Sequence, residues 1–116
     1  MTDSETRILK SPHVTSEVID WVKNVIVEKF HPEKIILFGS WAKGTAREDS
    51  DLDVLAVVDG DIPSLDMASQ INLCFWGRKF RMDLLARKPL EIDLALRDHH
   101  PFYSEIFRTG RVIYGS

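Results

Sequence analysis

Cysteine is nearly absent from this 116-residue chain. Its single thiol, Cys74, excludes an internal disulfide framework and any zinc site built on cysteines. An excess of positive charge is also missing. Lys and Arg number 15 against 18 Asp and Glu, a formal charge of −3, which argues against sequence-independent binding to DNA or RNA. No apolar run reaches the length of a membrane span, and the longest, Val54 to Val58, is strand-sized. The segment Met1 to Arg7 is polar and acidic and lacks the apolar core of a secretory signal, so the expectation is a cytoplasmic protein. There is no P-loop, no dinucleotide fingerprint, no repeat and no low-complexity tract. What is present is an ordinary globular balance, 44% apolar and 28% charged, of a size suited to one domain.

Residues 1–13 read as a flexible lead-in ending near Pro12, and residues 14–116 as the single domain. From Val14 the pattern turns helical, with Val18, Val22, Val25, Ile26 and Phe30 on one face. His31-Pro32 ends that helix, because the residue before a proline avoids helical backbone. Lys34 to Phe38 and Asp51 to Val58 are short, apolar and β-branched, and predict buried strands. Ser64 to Trp76 predicts a helix with Leu65, Ala68, Ile71 and Phe75 inward, closed by Gly77. Phe80 to Ala86 predicts a third strand, Glu91 to Arg97 and Pro101 to Thr109 two short helices, and Arg111 to Tyr114 a last strand. Helices alternating with strands predict an α/β (α+β) fold, a small sheet covered by helices.

The chemistry concentrates between Gly39 and Asp53. On a strand Asp51 and Asp53 project to the same side, with α-carbons roughly 6.5–7 Å apart. Two like charges that close, beside an apolar strand, repel each other and lose hydration. A divalent cation between them removes both penalties, and oxygen-only ligands suit Mg²⁺ or Mn²⁺ rather than zinc. An isolated Asp-x-Asp more commonly just opens a strand from a polar loop. Here it follows a strand that ends in Gly39-Ser40. Glycine lets a ligand approach the backbone, serine offers a hydroxyl, and Lys43 and Arg47 are in reach of a triphosphate. Asp83, between Met82 and Leu84, is a third carboxylate in an apolar strand, where a charge is unfavourable unless paired or bound to metal. If its strand neighbours that of Asp51, the three carboxylates converge as in a two-metal transfer site.

Gly39-Ser40, ten intervening residues, then Asp51-x-Asp53, with Gly44, Ser50 and the later Asp83 in Phe80 to Leu85, resembles the signature of the DNA polymerase β-like nucleotidyltransferases. The chain is most similar to the minimal nucleotidyltransferases, and the resemblance runs from about residue 14 to 115, including Pro101 to Phe107 and Gly110 to Tyr114. It implies a mixed sheet of the polymerase β palm-like kind. It implies two Mg²⁺ ions and transfer of a nucleoside monophosphate, AMP from ATP, to an acceptor hydroxyl. Asp51, Asp53 and Asp83 would be metal ligands and catalytic residues; Gly39, Ser40 and Lys43 would hold the triphosphate. It further implies a type VII-like antitoxin whose partner is a HEPN toxin, a helical ribonuclease silenced by AMP transfer to a tyrosine. A non-catalytic antitoxin acting by contact, and nucleotidylation of a small molecule, stand beside it. A homo-oligomer is compatible with either.

Other conspicuous residues have plainer readings. His99-His100 lacks a third ligand and reads as a solvated loop. Trp21, Trp41 and Trp76 read as packing residues, and Cys74 as a buried thiol. Arg78, Lys79, Arg81, Arg87 and Lys88 form a basic cluster that suits a solvated surface, or else a phosphate or an acidic partner.

Overall fold

The computed structural model describes residues 2–115. Its elements run α1 (Asp3–Leu9), α2 (Ser16–Phe30), β1 (Lys34–Phe38), α3 (Ser40–Lys43), β2 (Leu52–Val57), α4 (Ser64–Leu73), β3 (Met82–Arg87), α5 (Pro89–Arg97), α6 (Pro101–Thr109) and β4 (Arg111–Tyr114). The strands form one mixed sheet in the order β3-β2-β1-β4. β1 runs antiparallel to both neighbours, whereas β2 and β3 are parallel. A parallel pair needs a crossover long enough to return the chain to the same end, and α4 supplies it.

The sheet is covered on both faces. Ile35, Leu37, Val54, Ala56, Leu84 and Ala86 face one way and pack with Val18, Val22 and Ile26 of α2 and with Ile71 and Phe75. Ile36, Leu55 and Val57 face the other way, against Ile92 of α5 and Tyr103 and Ile106 of α6. A strand buried on both faces has no polar alternation, which is why β2 reads as a continuous apolar run. Thr15 caps α2, its hydroxyl oxygen accepting the Val18 amide at 3.2 Å. His31 closes that helix in left-handed conformation (φ 49°).

The N-terminus departs from the flexible lead-in expected for residues 1–13. Asp3–Leu9 is a helix, its first turn capped by Thr2, and it buries Ile8 and Leu9. The Leu9 carbonyl accepts the Lys79 amide at 2.8 Å, tying α1 to the turn before β3. Seven residues are too few to show a helical period, and a helix this short depends on tertiary burial. Two further expectations change. Leu65 lies on the outer side of α4 and Trp76 is exposed, whereas Ile71 and Phe75 are buried in the core and Met67, Ala68 and Cys74 pack against it. Cys74 is half-buried. Trp21 and Trp41 do pack against the core. Among the described residues, no helix is long and apolar enough to cross a membrane.

Candidate active site

The register between β2 and β3 pairs Asp53 with Asp83. Strand alternation puts both side chains on the face that carries Leu55 and Leu85. α5 and α6 cover the Leu55 and Val57 end of that face. The acidic end is open: Asp53 is half-buried and Asp83 exposed. On the other flank of β2, Asp53 pairs with Phe38 of β1. The chain then leaves β1 through Gly39 and Ser40 into α3. The sheet order therefore sets the Gly39-Ser40 turn on one side of Asp53 and Asp83 on the other.

Just before the first residues of the same two strands stand Asp51 and Arg81. The Leu52 amide donates to the Arg81 carbonyl at 2.9 Å, continuing the parallel ladder. Arg81 Nε lies 3.0 Å from Asp51 Oδ1. The result is a block of three carboxylates and one guanidinium. Burial, then the charges of Asp83 and Asp51, push the Asp53 carboxyl above its ordinary value.

Gly39 is fitted to this block. Its backbone (φ 70°, ψ −148°) lies in a region essentially reserved for glycine, and a Cβ there would collide with the Asp53 carboxylate. Ser40 opens α3, whose Ala42 and Lys43 amides donate back to the Gly39 carbonyl at 3.2 Å. Lys43 projects toward α6, its Nζ 3.9 Å from Glu105 Oε1. Ser50 braces the approach to Asp51, its hydroxyl oxygen accepting the Arg47 amide at 2.8 Å.

The donor set suits a hard divalent cation. It is built of carboxylate oxygens whose mutual repulsion a cation relieves, and Arg81 already brings positive charge to Asp51. Among the described residues, no three acidic, histidine or cysteine side chains clasp an ion as they stand. Asp51 is paired with Arg81 through Oδ1.

Phe38 and Phe102 were not singled out by sequence reasoning. They meet edge to face at 5.8 Å between ring centroids, beside Asp53. Strand alternation in the sequence already puts Arg81 on the side of Asp83, two residues before it; its ion pair with Asp51 was not expected. His99 and His100 are exposed, and the His100 ring lies against Tyr103 at 5.1 Å.

The pattern of the nucleotidyltransferase domain family matches residues 19–111, which takes in the whole block. The chain belongs to the nucleotidyltransferase family. It is an enzyme of nucleotidyl transfer, and relatives agree. A candidate protein adenylyltransferase of Methanocaldococcus jannaschii is 32% identical over 83 residues, 71% of this chain and 78% of that protein. The solved structure of a candidate nucleotidyltransferase from Sulfolobus solfataricus shares the fold at TM-score 0.59 and 18% identity, over 97% of this chain and 85% of that one. A toxin–antitoxin crystal structure with AMP-PNP shares it at TM-score 0.51 and 17% identity, over 84% and 73%. The nucleotidyltransferase domain thus carries its paired aspartates on the two parallel strands of a mixed sheet, beside a glycine-serine turn.

Proposed function

We propose that this nucleotidyltransferase moves AMP from ATP, with Mg²⁺ or Mn²⁺, onto a tyrosine hydroxyl of a partner protein. We place the partner as a HEPN toxin that the transfer neutralises. Asp51, Asp53 and Asp83 would hold two divalent ions, which supply neutralisation of charge on the attacked phosphate and on the leaving pyrophosphate. Gly39 and Ser40 would seat the triphosphate, and Lys43 would meet its outer phosphates once released from Glu105. Asp83 takes the proton from the acceptor hydroxyl. The hydroxyl oxygen bonds to the α-phosphorus as the bond to the β-phosphate oxygen breaks, so AMP is transferred and pyrophosphate leaves. The single observation that supports this most is the Asp53–Asp83 pairing beside a glycine whose added Cβ would displace the Asp53 carboxylate. The adenylyltransferase name of the Methanocaldococcus relative and the toxin–antitoxin setting of a shared fold favour AMP and a toxin as donor and target.

The test is incubation with labelled ATP, Mg²⁺ and a HEPN-domain protein as acceptor. Label should appear on a partner tyrosine and vanish with Asp53→Asn. Labelling that persists with Asp53→Asn overturns the metal-ligand assignment. Neutralisation by contact alone is a second reading, favoured by the exposed Leu65, Leu73 and Trp76. It prevails if Asp51→Asn and Asp53→Asn chains still silence the toxin.

A further inference from the structure

β3 is an edge strand, bonded to β2 on one side only. In a parallel ladder, alternate residues turn their backbone groups toward the neighbour. The Leu52 amide donates to the Arg81 carbonyl at 2.9 Å, and the Val58 amide to the Arg87 carbonyl at 3.0 Å. Residues 81, 83, 85 and 87 therefore address β2, and Met82, Leu84 and Ala86 turn their carbonyls to the outer edge. A strand start held from one side alone is prone to fray. This one carries Asp83 as its second residue.

One guanidinium holds it from the outer side. Arg78 Nη2 donates to the Met82 carbonyl at 3.2 Å and to Asn72 Oδ1 at 3.4 Å, and Nη1 donates to the Phe75 carbonyl at 3.5 Å. The far acceptors are anchored. Phe75 is fully buried in the core, and the Asn72 side-chain amide donates to the Ala68 carbonyl of α4 at 3.0 Å. Arg78 thus does for the start of β3 what a further strand would do, tying it to the end of α4. Arg78 is half-buried, burial lowers its pKa, and none of the described ion pairs includes it. A cation so placed is unfavourable unless its N–H groups find acceptors, and here all three acceptors are neutral. Capping the helix end alone is a task that lysine also performs. Spanning from that end to Met82 uses the planar fork of arginine.

We propose that Arg78 is a positioning residue for nucleotidyl transfer: by holding the Met82 carbonyl it fixes the start of β3 and keeps Asp83 beside Asp53. The inference rests on the role proposed above for Asp83. Arg78 acts through the backbone and touches no reacting group. The Gly39-Ser40 turn, proposed to seat the triphosphate, follows β1 on the opposite flank of β2. Loss of Arg78 therefore acts on the reacting step and leaves ATP binding in place.

The test compares the full chain with its Arg78→Gln and Asp83→Asn variants. Amide hydrogen exchange, followed by NMR without nucleotide, reads the strand. The Leu52 amide reports the start of the β2–β3 ladder and the Val58 amide its far end. In Arg78→Gln, Leu52 should exchange about tenfold faster or more, with Val58 within about twofold of the parent. AMP transfer to a HEPN-domain protein should lose about tenfold or more in kcat, with KM for ATP within about twofold. If Arg78→Gln does not fold, Arg78→Lys keeps the charge, loses the fork and takes its place, with changes of about threefold expected in the same readouts. Unchanged exchange at Leu52, equal acceleration at Leu52 and Val58, or a raised KM with kcat intact each overturn the positioning role. So does a kcat that Asp83→Asn abolishes and Arg78→Gln leaves unmoved. Turnover that survives Asp83→Asn, or a parent that labels no acceptor, refutes the transfer reading instead. Exchange at Leu52 then still decides whether Arg78 anchors β3.

Discussion

Asp53 and Asp83 face the same side from paired positions on two parallel strands, and neither has a protein cation of its own among the described ion pairs. Arg81 is one step away and engaged with Asp51. The pair is thus an electrostatic liability in the free protein, held in place by apolar packing beneath it. Sites assembled for a ligand commonly trade stability in this way.

Replacing one member should therefore stabilise the fold while removing activity. The Asp53 carboxyl is raised above 3.8, so its ionised form weakens the folded state at neutral pH. Asp53→Asn should melt a few degrees above the parent at pH 7. The gap should close as pH falls through the raised value toward 3.8, where the parent takes up its proton. Calorimetric melts across that range check this. Mg²⁺ should raise the melting temperature of the parent and leave the variant unmoved.

Gly39→Ala tests the turn. The added Cβ meets the Asp53 carboxylate and the backbone is disfavoured for any other residue, a strain on the order of 1–3 kcal/mol. Displacing Asp53 should lower AMP transfer about 100-fold, the penalty typical of a misplaced reacting group. Melting curves and turnover, measured together, separate the two effects.

Ile8→Ala tests the N-terminal helix. Ile8 is 7% exposed and packs in the larger core, so its truncation should cost about 2 kcal/mol in urea unfolding. A lead-in without packing would show no change.

Glu91 joins two helix starts. Its carboxylate accepts the Lys88 amide at 2.7 Å and the Ser64 hydroxyl, and these bonds hold its pKa below the ordinary 4.5. Its stabilising contribution is present above 4.5 and lost as pH falls through the lowered value. Glu91→Gln should melt below the parent at pH 7, with the difference shrinking in acid.

Much of the site was legible because strand alternation and the Gly-Ser to Asp-x-Asp spacing are local. β1, β2 and β4 and the shared face of Asp51 and Asp53 need only the chain near them. The partner of Asp83 needs a register, which periodicity does not carry. So does the Asp51–Arg81 contact. Trp76 looked like a packing residue because composition cannot say which side of a turn an indole leaves from. α1 was missed because its two buried aliphatics, Ile8 and Leu9, are adjacent and show no spacing.

The α4 crossover has a consequence for when the molecule becomes reactive. Residues 53 and 83 become neighbours only after the intervening chain has closed its long loop and seated β3 on β2. Until that loop closes, Asp83 stays apart from Asp53, and any chemistry that needs both carboxylates waits on the native topology.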